Sequence, residues 1–190
     1  MKHETFFKLA RDLDNHSIHL TRCTNVDAMS YFLKSHQDYA KNVTISKVPE
    51  YFVKKKEDGD SKNGRYYFVT TKLDDVYGEI ANFEVRWAET NPLRYHVGKE
   101  STRLMAENIE VGIGFSERTH IKVNGHDAYY IFGGRKEAKK GRIYLTNYVL
   151  VNFCCPASKR AFMAKFAVFA DNFPNMQEHV KGIVDGIICH

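Results

Sequence analysis

The sequence predicts an α+β fold, a mainly antiparallel β-sheet flanked by helices in an α/β/α sandwich. Three patterns near the end of the chain lead to this prediction. Apolar residues alternate along 143–153, which is typical of a strand with one face on the core. The alternation resumes along 160–168, because Pro156 removes a ladder donor and ends the first strand. Residues 176–188 then carry apolar side chains at the spacing of one helix face, so a helix closes the fold.

The earlier part of the chain switches between helical and extended patterns. Asn91-Pro92 marks a helix start, since proline at the first helical position loses no hydrogen bond, and Asn124-Gly125 marks a tight hairpin turn. No repeat or long linker appears, so one domain over residues 1–190 is expected. The predicted helices are 5–13, 26–41 and 92–107, the predicted strands are 18–23, 51–55, 65–72, 79–88, 111–115, 118–123 and 128–132, and 133–142 is predicted to be a loop.

Composition and charge fit an ordinary globular chain. Its 190 residues are 43% hydrophobic and 27% charged. No apolar run approaches the roughly 20 residues needed to span a bilayer, and the first residues lack a signal-peptide pattern. We therefore expect a cytoplasmic location, unless a leader has been removed. The formal charge of +5 permits an anionic partner without requiring one.

The segment 121–130, with the sequence IKVNGHDAYY, resembles the hairpin of the PsbP family, in which valine, glycine, alanine and aromatic residues recur. The two strands and the helix that follow also fit the order of elements in that family. PsbP is an extrinsic photosystem protein, and its α/β/α sandwich is shared with a Ran-binding nuclear import factor. The resemblance implies the same sandwich and a non-catalytic accessory role with a protein partner. The metal-binding and Ran-binding residues of those relatives match no motif in this sequence.

The cysteines near the C-terminus form one candidate site. Cys154 and Cys155 are adjacent in a predicted strand, so their side chains point to opposite faces of the sheet. The closing helix runs back towards the same end of the sheet and would carry Cys189 and His190 there. Three interpretations are open: buried inert thiols, a disulfide, or a zinc site. Inert thiols are the favoured interpretation, and the zinc site would draw on Cys154, Cys155, Cys189 and His190.

A basic segment forms a second candidate site, for a partner that carries negative charge. It lies in the predicted loop between two strands and contains five cationic side chains. Such a segment can bind the phosphates of a nucleic acid or another acidic surface. A solvated turn is the more frequent role of such a charge run, so nucleic acid is not the favoured partner. The five residues are Arg135, Lys136, Lys139, Lys140 and Arg142.

The sequence shows no known catalytic constellation. It contains none of the HExxH, GxSxG, CxxC or dinucleotide-binding patterns. The neighbours His126 and Asp127 make no dyad, because adjacent residues of a strand face opposite ways. The leading hypothesis is therefore a non-catalytic binding or accessory module without a cofactor, and its partner is expected to be another protein.

Overall fold

The computed structural model describes residues 43–74, 78–139 and 141–189. Within these ranges the chain is mainly antiparallel β-sheet with two helices, which confirms the predicted α+β class. The predicted helices 5–13 and 26–41 and the predicted strand 18–23 lie outside the described residues. Neither helix of the described ranges is long and apolar enough to cross a membrane.

The main sheet has seven strands, and every neighbouring pair in it is antiparallel. Its spatial order is β2-β3-β6-β10-β9-β8-β7, so the four strands β7 to β10, which are consecutive in the chain, form one continuous meander. The strands are β2 (Phe52–Gly59), β3 (Gly64–Thr70), β6 (Ala81–Glu89), β7 (Gly114–Val123), β8 (His126–Lys139), β9 (Arg142–Cys155) and β10 (Arg160–Phe169).

Two short ladders stand beside the main sheet. One joins β1 (Thr44–Ile45) to β11 (Ile187–Ile188), and it ties the C-terminal residues to the first described strand. The other joins β4 (Leu73–Asp74) to β5 (Gly78–Glu79).

The two helices cover opposite faces of the sheet. Helix α2 (Phe173–Asp185) follows a 3₁₀ turn at Ala170–Asn172 and buries one apolar stripe, Met176, Val180, Ile183 and Val184. This stripe joins the core cluster that contains Val151 and Phe153. Helix α1 (Val97–Glu110) lies on the other face, where the Nδ2 of Asn152 donates to the carbonyl of Val97 at 3.1 Å. Successive strand residues alternate between faces, so the sheet is the middle layer between these helices.

Aromatic rings fill the layer between α2 and the sheet. Phe83 is fully buried and stacks on Phe68 with ring centroids 4.4 Å apart. Phe153 stacks on Phe162, its cross-strand partner, at 4.9 Å. Alternation along β10 is complete, since every second residue from Arg160 to Val168 is buried. Burial of such side chains contributes roughly 1.5–3 kcal/mol each, so this layer holds the sheet and α2 together.

The prediction of a loop over residues 133–142 is wrong. Strand β8 continues to Lys139 and β9 begins at Arg142, with these two residues paired at the tip of a long hairpin. The glycines that indicated a loop serve the sheet instead. A Cβ on Gly133 would lie 2.4 Å from the carbonyl oxygen of Gly114, so only glycine allows β7 to approach this closely.

The predicted helix limits also need correction. Asn91 does not cap a helix, because its Oδ1 accepts the backbone N–H of Leu93 at 3.0 Å and forms a turn, and α1 begins only at Val97. The closing helix begins at Phe173, and Ile187–Ile188 leaves it to pair with β1. The predicted strands 111–115 and 118–123 fall on one strand, β7, which begins only at Gly114 and has an irregularity between Phe115 and Glu117, so residues 111–113 lie outside it.

Replacing Phe83 tests where the core lies. The Phe83→Ala variant should lower the free energy of unfolding by about 3–5 kcal/mol, because it leaves a cavity between Phe68 and Phe166. Urea denaturation measures the change. Leu93→Ala is the control, since Leu93 is 80% exposed, and it should change stability by less than about 0.5 kcal/mol. Equal losses in the two variants would contradict this core.

Candidate thiol and imidazole site

Three chain segments meet at one end of the sheet: the β7–β8 turn, the end of β9 and the C-terminal residues. Asn124 and Gly125 form the turn with φ angles of 49° and 82°, as the Asn-Gly pair predicts. The Asn124 side chain then donates from Nδ2 to the carbonyl of Ile187 at 2.7 Å. This bond fixes the C-terminal segment against the hairpin turn.

The opposite side of the C-terminal segment is held as well. Ile45 and Thr44 pair with Ile187 and Ile188, and the Ser46 N–H donates to the Gly186 carbonyl at 2.8 Å. The segment is therefore anchored on both sides immediately before Cys189. The Sγ of Cys189 consequently lies 3.4 Å from the Nε2 of His126.

Cys155 reaches the same place through strand register. Ala128 pairs with Phe153 between β8 and β9, so the next residues on that face are His126 and Cys155. The ligand atoms of His126, Cys155 and Cys189 all lie within 4.8 Å of one another. Both cysteines are buried, while His126 is half-buried and stacks on Phe153 at 5.9 Å with nearly parallel rings. The arrangement brings two sulfurs and an imidazole nitrogen around one point.

A buried guanidinium faces these thiols. Arg160 is the cross-strand partner of Cys155 and is only 2% exposed. Its Nη1 has no hydrogen-bond partner among the described residues. Two exposed carboxylates also contribute to its field: Glu89, which pairs with Arg160 from the other neighbouring strand, and Asp60 in the turn after β2. Arginine stays protonated in proteins, so one fixed positive charge acts on the cysteine pair.

The two thiols differ strongly in acidity. A hydrogen bond from Cys189 lowers the pKa of the Cys155 thiol, and contacts with His126 and Ser158 act in the same direction. The same Cys155–Cys189 hydrogen bond raises the pKa of Cys189, with burial adding to the effect. The Cys155 thiol thus loses its proton readily, whereas the Cys189 thiol keeps its proton. Burial lowers the pKa of Arg160, and negative charge at Cys155 and Cys189 opposes that shift.

Cys154 does not belong to this cluster. It occupies the opposite face of β9, as expected for adjacent strand residues, and burial raises its pKa to about 11. His190 lies outside the described residues. Of the sequence candidates, the structure therefore brings together Cys155 and Cys189. It adds His126, which pattern matching missed, although extending the hairpin register from Asn124-Gly125 would have placed it beside Cys155.

The basic residues lie on the β8–β9 hairpin rather than in a loop. The Nε of Arg135 is 3.5 Å from Glu137 Oε1, so a neighbouring carboxylate partly balances its charge, whereas Lys136 is exposed. The side chains of Lys139 and Arg142, and the whole of Lys140, lie outside what the structure describes. Binding of an anionic polymer at this segment stays a prediction.

A cleft of about 550 Å³ lies on the other face, between α1 and the sheet. Its lining combines acidic, basic and amide side chains, and Lys165 donates there to Asn108 Oδ1 at 2.7 Å. Burial raises the pKa of Tyr95 in this cleft to about 12. The buried Oδ1 of Asn152 has no protein partner among the described residues. The cleft is separated from Cys155 and Cys189 by the thickness of the sheet.

Comparison with known proteins shows the fold alone. No family model and no curated protein matches the chain. Among solved structures, PA94 of Pseudomonas aeruginosa, a protein of unknown function, is similar over 67% of this chain and 83% of its own, with a TM-score of 0.50 and 15% identity. LpqN of Mycobacterium tuberculosis, involved in cell envelope biogenesis, is similar over 76% of this chain and 81% of its own, with a TM-score of 0.48 and 14% identity.

Oxidation of the native protein tests which cysteines are neighbours. Treatment with diamide, which takes up two hydrogens as two thiols become a disulfide, should link Cys155 to Cys189, because their sulfurs lie on one side of the sheet within 4.8 Å. Peptide mapping by mass spectrometry identifies the product. Cys154→Ser should leave the yield unchanged and Cys155→Ser should abolish it. A Cys154–Cys189 product would contradict the assigned faces.

Proposed function

We propose that this chain is a non-catalytic binding module whose ligand is a soft transition-metal ion held by His126, Cys155 and Cys189. One observation carries the proposal: two buried sulfurs and an imidazole nitrogen lie within 4.8 Å of one another. Thiolate and imidazole are the ligands that Zn²⁺ and Cu⁺ prefer over oxygen donors.

The spacing of the ligand atoms supports binding of a single ion. Zinc–sulfur and zinc–nitrogen bonds of roughly 2.3 and 2.1 Å place two tetrahedral ligands about 3.5 Å apart. The separation of Cys189 Sγ and His126 Nε2 is 3.4 Å. A small movement of Cys155 completes the set, and His126, which is half-buried, lies where an ion would enter. The lowered pKa of Cys155 also favours this use, since the thiolate is the form that binds metal.

Burial supports a binding role over catalysis. Cys155 and Cys189 are almost completely covered, so an organic substrate has no room beside their sulfurs. The cleft of about 550 Å³ opens on the opposite face of the sheet. A metal ion held here would join β8, β9 and the C-terminal residues, as structural metal sites join separate segments.

The PsbP-like assignment belongs to this proposal too. An antiparallel sheet between helices on both faces, with the Asn124-Gly125 hairpin leading into the last three strands, supports it. In this interpretation the protein is an accessory module with a protein partner, and the metal secures the end of its sheet. Buried thiols used as metal ligands fit a reducing compartment such as the cytoplasm.

Metal titration tests the proposed function. The reduced protein should bind one equivalent of Zn²⁺, Co²⁺ or Cu⁺, and the bound ion should raise the melting temperature, because it stabilises only the folded state. Equilibrium dialysis gives the stoichiometry, and Co²⁺ adds thiolate charge-transfer absorption. Cys155→Ala should weaken binding on the order of a hundredfold or more, since it removes a direct ligand.

Cys154→Ala is the matched control, because this neighbouring thiol points to the other face of the sheet. It should bind each ion as the wild type does. Absence of binding for all three ions, or equal affinity in the Cys155→Ala and Cys154→Ala variants, would contradict the proposed function.

A further inference from the structure

The charge of Arg160 sets a condition on any ion bound beside it. The guanidinium lies 2% exposed in the same layer as Cys155, its cross-strand partner. A buried charge is costly unless opposite charge lies close by. The buried charge of Arg160 therefore requires a negatively charged group nearby.

The carboxylates near Arg160 have other partners. Glu89 forms an ion pair with Lys62 at 3.4 Å. Asp60 Oδ1 accepts the backbone N–H groups of Lys62 and Asn63 at 2.7 and 2.8 Å. The Nη1 of Arg160 has no hydrogen-bond partner among the described residues. Both carboxylates are also exposed to solvent, which screens their charge, so the buried groups of the described residues that can supply the balancing negative charge are the two cysteine sulfurs.

The formal charges of the buried groups favour a monovalent ion over a divalent one. Two thiolates carry two negative charges, and the guanidinium neutralises one of them. A monovalent ion brings the buried set to zero, whereas a divalent ion leaves one net positive charge in a region shielded from water. Since an uncompensated buried charge is unfavourable, the divalent ion requires an additional anion.

We propose that Arg160 makes this site selective for a monovalent soft ion, Cu⁺, relative to Zn²⁺. The inference rests on the proposed function. Soft thiolate ligands favour Cu⁺ in any case, so the specific claim is that the guanidinium shifts the ratio of the two affinities. It does so by repelling a divalent ion more strongly than a monovalent one.

Two substitutions of Arg160 test the claim. Affinities for Cu⁺ and Zn²⁺ are measured in competition with chromophoric chelators, under anaerobic conditions with reductant present. In Arg160→Met, the affinity for Zn²⁺ should rise roughly tenfold more than the affinity for Cu⁺, because removal of one charge relieves a divalent ion twice as much. Arg160→Lys keeps the charge and should keep the wild-type ratio.

A measurement on the wild type decides the matter if Arg160→Met does not fold. Formate replaces perchlorate at constant ionic strength, so that a small anion can join the metal and offset the guanidinium. The affinity for Zn²⁺ should then rise several-fold while the affinity for Cu⁺ stays constant. A ratio of affinities that neither Arg160→Met nor formate changes would overturn the inference and leave the proposed function standing, whereas failure of every ion to bind would overturn both.

Discussion

The hydrogen bond from Asn124 Nδ2 to the carbonyl of Ile187 is the contact on which the site depends. Strand register alone places His126 beside Cys155, since both lie at the ends of paired strands. Cys189 comes from a distant part of the chain and must be carried to them. The Asn-Gly turn performs this task because it needs positive φ angles, which asparagine tolerates, and because it leaves the amide of Asn124 directed at the C-terminal segment.

The free energy gained by packing the aromatic layer offsets the cost of burying the polar groups of the site. Burying a guanidinium and two thiols opposes folding unless their charges are matched. The adjacent core is continuous with the site, since Phe153 stacks on His126 on one side and on Phe162 on another. A well-packed region therefore holds the polar cluster in place.

Much of the fold was predictable because its strands alternate clearly. Periodicity predicts the strands at 143–153 and 160–168 and the helix that follows them, and the structure contains all three. The segment 133–142 was not, because its glycines resemble a loop in sequence, whereas in the sheet they allow close approach of neighbouring backbone. Asn91 gave a false helix start for a similar reason, since the same side chain that caps a helix also closes a turn.

The site was only half predictable. Chain geometry allows Cys155 and Cys189 to meet without requiring it, because the 13 residues of the closing helix recover only about 20 Å of the roughly 33 Å covered by the 10 residues of the return strand. His126 carries no local motif that marks it as a ligand, and its position emerges only from pairing across the hairpin. In the sequence pattern, Arg160 is one more residue of an alternating strand. The effect of its charge on the site arises because Arg160 is buried and because Asp60 and Glu89 contact other groups. A sequence reveals neither of these facts.

X-ray absorption spectroscopy of the copper-loaded, reduced protein tests the central claim most directly. We predict a Cu⁺ ion coordinated by the sulfurs of Cys155 and Cys189 and by one imidazole nitrogen, with the nitrogen signal lost in His126→Ala. A sulfur-free coordination shell, or one that is unchanged when Cys189 is replaced by alanine, would contradict it.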